Sequence, residues 1–237
     1  KDKVGNCEVY VSNGIVIEVQ EPEISCTFRA ENPEDQSFIN SEGIIRSNGN
    51  VQYTLKVSDP GSYFSGISRI ETRVKEDGNT LGLNEDGQLP ALEKVLNEEN
   101  QAVGSYVYET DQEAGYSYQD LKDDSEIEIE GVVKADEITS NNVVLEVSAY
   151  DRAGNSVLSK TWNLILDNKA PEITVEFDKN EPVNDIYYQD SRTMTISYRE
   201  RNFGFDSITD KSLDNVSKDN VWFELTTENG SGEYSLA

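Results

Sequence analysis

The sequence predicts an all-β chain, and three observations carry that reading. Short runs alternate apolar and polar residues with period two, as a strand with one buried face requires. Hydrophobic residues make up only 35% of the 237 positions, so the core must be thin and patterned rather than massive. Clusters of Asp, Gly, Asn and Pro separate the runs and supply the backbone conformations that tight reversals need.

In chain order, strands are expected over 23–28, 51–57, 67–74 and 127–133. Over 143–150 the alternation runs directly into Asp151-Arg152-Ala153-Gly154-Asn155, a strand entering a tight connection. The Asp151 side chain should accept backbone N–H groups ahead of it, while Gly154 and Asn155 take the positive φ of the reversal. A return strand follows over 156–167. Asp167-Asn168-Lys169-Ala170-Pro171 then reads as a short, stiff junction, because proline fixes its own φ and biases its predecessor towards extended geometry. Beyond it, strands are expected over 173–177, 194–198 and 221–225. The one helical signal is Leu89, Leu92 and Leu96, which predicts a short amphipathic turn or two over 90–97 inside a long insertion, 76–122.

An internal repeat organises these elements. Asp2-Lys3-Val4-Gly5-Asn6 returns as Asp151-Arg152-Ala153-Gly154-Asn155, an offset of 149 from position 2 to position 151. The same offset carries Ile15-Val16-Ile17-Glu18 onto Leu164-Ile165-Leu166-Asp167, Pro22-Glu23-Ile24 onto Pro171-Glu172-Ile173, and Phe28 onto Phe177. Self-similarity at a fixed period is the signature of a tandem array. Residues 1–20 are then expected to close a preceding unit, 21–168 to form a complete enlarged one, and 169–237 to begin a truncated third. A start at Lys1 fits an excised piece of a longer protein.

Composition narrows the chemistry. With 20 Lys and Arg against 46 Asp and Glu, the formal net charge is −26, which repels phosphate backbones and anionic membrane surfaces. No nucleic-acid partner and no membrane insertion are expected, since no run approaches the ~18 apolar residues of a membrane span. The chain has no histidine, which removes Ser-His-Asp and Cys-His catalysis and most zinc sites. Glycosidase chemistry needs only two carboxylates, a signal without specificity in so acidic a chain. The chain is therefore expected not to be an enzyme. Cys7 and Cys26 are expected as free thiols, because about eleven strand residues at ~3.3 Å each separate Cys7 from the junction.

The motifs Ala149 to Asn155, Asp167 to Val175, Tyr187-Tyr188 and Glu200-Arg201-Asn202-Phe203 together resemble the bacterial Ig-like repeats of large Gram-positive cell-surface proteins. Residues 2–24 resemble the same junction one unit earlier. The resemblance implies tandem immunoglobulin-like β-sandwiches, partnered by neighbouring repeats of the same chain, in an extracellular protein of a Gram-positive cell wall. It carries no catalytic site with it. A plain Ig-like sandwich has about 100 residues, so the 149-residue spacing leaves the insertion as the place for a specific function.

Two candidate sites follow from residue type. Cadherin-like linkers hold calcium with carboxylates from adjoining domains, and here Glu18, Glu21, Asp151, Asp167 and Asn168 could supply the oxygen ligands. The simpler alternative is that Asp151 organises a turn and the junction acids are solvated. Secondly, Tyr106, Tyr108, Tyr116 and Tyr118 stand among acids such as Asp120 within 106–130. Aromatic faces beside hydrogen-bonding acids suit a pyranose, although tyrosines on a strand also pack one side of a sandwich. The expected function is a non-catalytic stalk, spacer or adhesive module. A calcium-dependent adhesin segment and a carbohydrate-binding module, either with a host glycan or protein as partner, are the alternatives.

Overall fold

The computed structural model describes residues 17–41, 43–61, 64–110, 122–170, 172–177, 194–199, 223–228 and 231–236. Its regular structure is almost entirely strand: β1 (Glu23–Ala30), β2 (Ile39–Ser41), β3 (Ile44–Ser47), β4 (Val51–Ser58), β5 (Ile67–Glu76), β6 (Asn79–Thr80), β7 (Ala102–Val103), β8 (Tyr106–Glu109), β9 (Glu126–Val133), β10 (Val143–Asp151), β11 (Ser156–Leu166), β12 (Glu172–Phe177), β13 (Met194–Arg199), β14 (Phe223–Glu228) and β15 (Ser231–Leu236). One sheet has the order β1-β4-β9-β7, and a second has β2-β3-β11-β10-β5-β6, with β8 also paired to β5. A third sheet, β12-β13-β15-β14, is antiparallel throughout.

The first two sheets have the strand order of an immunoglobulin-like sandwich, A-B-E-D facing G-F-C, with β11, β10 and β5 in the G, F and C places. β7 joins β9 in parallel, and β3 joins β11 in parallel with Ile44 to Ser47 opposite Asn163 to Leu166.

The described residues fall into two compact units. One comprises those within Lys1–Arg29, Gln52–Val133 and Val144–Trp162; the other comprises those within Ala30–Val51, Lys134–Val143 and Asn163–Ala237. In the first, period-two alternation becomes burial. β4 turns Tyr53, Leu55 and Val57 inwards, β5 contributes Ile67, Ile70 and Val74, and β10 contributes Leu145, Val147 and Ala149, all buried. Each such side chain, taken fully out of water, contributes about 1.5–3 kcal/mol. The Phe28 ring lies 6.0 Å from Trp162 and 6.4 Å from Tyr53, centroid to centroid, within the range of favourable aromatic pairing.

The insertion holds the expected helical segment only as one short turn. Asn84 accepts backbone N–H groups from Asp86 and Gln88, and Asn97 does the same for Glu99 and Gln101, so two asparagine-headed turns set the path. Leu92–Lys94 forms a single 3₁₀ turn with no buried residue. The chain then returns as β8, antiparallel to β5. Part of the presumed insertion is thus a strand of the sandwich.

In the second unit Ile45, Leu164 and Leu166 are buried along the β3–β11 pairing. Asn50 ties its loop together: its side-chain carbonyl accepts the Ala135 N–H at 2.9 Å, and its amide donates to Glu31 at 3.0 Å. β11 ends at Leu166 and β12 begins at Glu172, so the connector is as short as the sequence implies.

One close approach generates a test. Gly131 in β9 lies against the Tyr53 ring, where an added Cβ would overlap Cζ and Oη. Tyr53 is 2% exposed and has nowhere to retreat. Gly131→Ala should therefore destabilise the chain by about 1–3 kcal/mol, the usual range for overpacking, read as a lower urea midpoint at unchanged slope.

Candidate functional site

The β10–β11 reversal forms as its sequence implies. Asp151 Oδ1 accepts the N–H groups of Gly154 (2.7 Å) and Asn155 (2.8 Å), and its Oδ2 accepts the Asn155 side-chain amide at 2.8 Å. Gly154 takes φ +97. Asn155 does not share the positive φ, because the reversal needs only one left-handed residue. The next residue, Arg152, donates to Thr110 and forms an ion pair with Asp124, which pins the turn to the start of β9.

A second aspartate, Asp59, closes β4 in a similar way. Its Oδ2 accepts the N–H groups of Ser65 (3.0 Å) and Gly66 (2.7 Å). These backbone bonds fix the carboxylate while leaving Oδ1 with no donor among the described residues. Asp59 is 5% exposed and Asp151 4%. The segment entering β1 brings a third acid: carboxylate oxygens of Glu18, Asp59 and Asp151 lie within 4.8 Å of one another. Gln20 packs against Gly61, whose φ of +111 and lack of a Cβ make room for it, so the entering segment is held against the β4–β5 connection.

Three carboxylates so close repel, and protonation is one relief. Burial, the Glu18 carboxyl beside it and the nearby charges of Glu18 and Asp151 push Asp59 up to about 6, against the opposing pull of the Gly66 N–H.

Of the five expected calcium ligands, the fold gathers Glu18 and Asp151, and Asp59 completes the cluster. Glu21 is exposed. Asp167 accepts the Lys169 N–H and lines a cleft of about 260 Å³ with Ser37, Arg46 and Asn48, and Asn168 is exposed. In the proposed sugar surface, Tyr106 is completely buried. Its ring packs the core beside Tyr53, and burial pushes its phenol up to about 12, so it offers no face to a pyranose. Tyr108 is half-buried, while Tyr116, Tyr118 and Asp120 lie outside the described residues. Cys26 is a free, half-buried thiol pushed up to about 12 by burial, and Cys7 lies outside the described residues.

Asp59 escaped the sequence reading because Asp-Pro-Gly looks like an exposed turn. A signal was present: like Asp151, it ends an alternating strand and has a glycine within reach. No family model matches the chain, and no curated protein matches it.

The raised Asp59 pKa makes a pH prediction. The folded chain keeps this proton up to about 6 against 3.8 ordinarily, so between those values it binds more protons than the unfolded chain. The associated stability is fully present below 3.8 and lost as pH rises through about 6. Asn at this position stays neutral and keeps an oxygen for Ser65 and Gly66. In chelating buffer Asp59→Asn should be more stable than wild type at pH 7 by about 1–2 kcal/mol. Thermal unfolding should show the advantage shrinking as pH falls from 7 to 4.

Proposed function

We propose that the chain is a non-catalytic structural or adhesive Ig-like module, a stalk or spacer segment of a secreted bacterial cell-surface protein. The observation that carries this reading is the recurrence, at an offset of 149 residues, of the Asp-x-x-Gly-Asn motif, the apolar run that follows it and the proline junction. A unit that repeats its connections as well as its core is built for stacking along a chain. The fold supports the reading: the last strand of one sandwich passes through Asp167 to Pro171 directly into a separate antiparallel sheet. No helix among the described residues is long and apolar enough to cross a membrane. A net charge of −26 suits a solvated, self-repelling projection.

The test is location. Antibodies raised against the chain should label intact cells of the source organism, and mild surface proteolysis should remove the label. Label that appears only after lysis would overturn the proposal. The two forms of the proposal separate on a panel of immobilised glycans and matrix proteins, where a spacer is not retained and an adhesive module is.

A further inference from the structure

We infer that Glu18, Asp59 and Asp151 form a binding site for a hard divalent cation of the calcium class, which fastens the segment entering β1 to the end of the sandwich. The inference does not depend on cellular location.

Proximity of acids alone would not establish a site, and two further observations point to a ligand. First, Asp59 is 95% withdrawn from solvent (5% exposed), yet its Oδ1 has no donor among the described residues, and neither Glu18 oxygen has one although both are buried. Buried polar atoms are almost always partnered. Arg152, the next residue in the turn, forms an ion pair with Asp124. Secondly, the entering segment inverts the usual alternation. Ile17 and Val19 are 80% and 78% exposed, while the carboxylate of Glu18 between them is turned inwards. Exposing two β-branched aliphatic residues in order to bury an acid is unfavourable unless something holds the acid.

The donor set selects the ion. All three donors are carboxylate oxygens, the ligands of hard cations, and nothing in the cluster offers the nitrogen or sulfur that zinc and copper favour. Separations of up to 4.8 Å put all three oxygens within about 2.8 Å of a common centre, close to the ~2.3–2.6 Å of calcium ligands. Asp59 and Asp151 are preorganised by backbone N–H groups, which orient ligating carboxylates as outer hydrogen bonds do in metal sites. Glu18 comes from the entering segment, and the cation would tie that segment to Asp59 and Asp151.

The experiment is thermal unfolding of the full chain at pH 7 in chelator, in 10 mM calcium, and in sodium chloride of matched ionic strength, with calorimetric titration of calcium for stoichiometry. Calcium should raise the midpoint by about 5 °C when it exceeds its dissociation constant roughly a hundredfold. The titration should give one site. Glu18→Gln and Asp59→Asn should each abolish the shift, and Asp167→Asn should leave it intact. Glu18→Gln alters only the entering segment, so its result is independent of any change that Asp59→Asn makes within the sandwich. No shift in the wild type, an equal shift in sodium chloride, a shift that survives Glu18→Gln, or one lost in Asp167→Asn would each overturn the inference.

Discussion

The Asp151 carboxylate is the interaction on which this end of the molecule depends. Two backbone N–H groups and a side-chain amide converge on it, and without them β10 could not turn into β11 so tightly. The turn then positions Arg152, whose ion pair with Asp124 anchors the approach to β9. The hydroxyl of Ser68, at the start of β5, donates to the carbonyls of Tyr150 and Asp151, adding a fourth strand to the same knot. A chain with a formal charge of −26 has nevertheless buried two aspartates here. Each is held by backbone amides, which offset part of the cost of burying a carboxylate.

That arrangement sets a tension. Amides at Ser65 and Gly66 favour charge on Asp59, while burial and the proximity of Glu18 and Asp151 disfavour it. Proton uptake and cation binding are the two ways to resolve it, and they compete for the same oxygens. The aromatic interior makes no such compromise. Tyr53 and Tyr106 sit in the core with their hydroxyls fully covered, and burial holds both phenols in the neutral form.

Much of the sandwich was legible because burial follows period two. β4 alternates inward and half-covered positions without exception, and its sequence says so. β1, β5, β9, β10 and β11 were found within a few residues for the same reason. β2 and β3 escaped because three or four residues are too few to show a period. β14 begins two residues later than its pattern suggested, and β15 went unseen because Gly232 and Glu233 interrupt any apolar rhythm. Glu18 and Asp151 were legible as candidate ligands through their places beside a junction and a turn. Asp59 was not, since its partnership is created by folding across nearly a hundred residues. Tyr106 failed for the converse reason: composition says that rings and acids are interleaved but not which face the rings take.

The parallel pairing of β3 with β11 has a mechanical meaning. The last four residues of β11, Asn163 to Leu166, carry this ladder and lead straight into the connector towards β12. Tension drawn out through that connector acts along the strand axis, across bonds that slant between parallel neighbours. Such a ladder is loaded in shear, so its bonds resist together, whereas a hairpin pulled from its open end gives way one rung at a time. The strand that exits the sandwich is therefore also its clasp against extension.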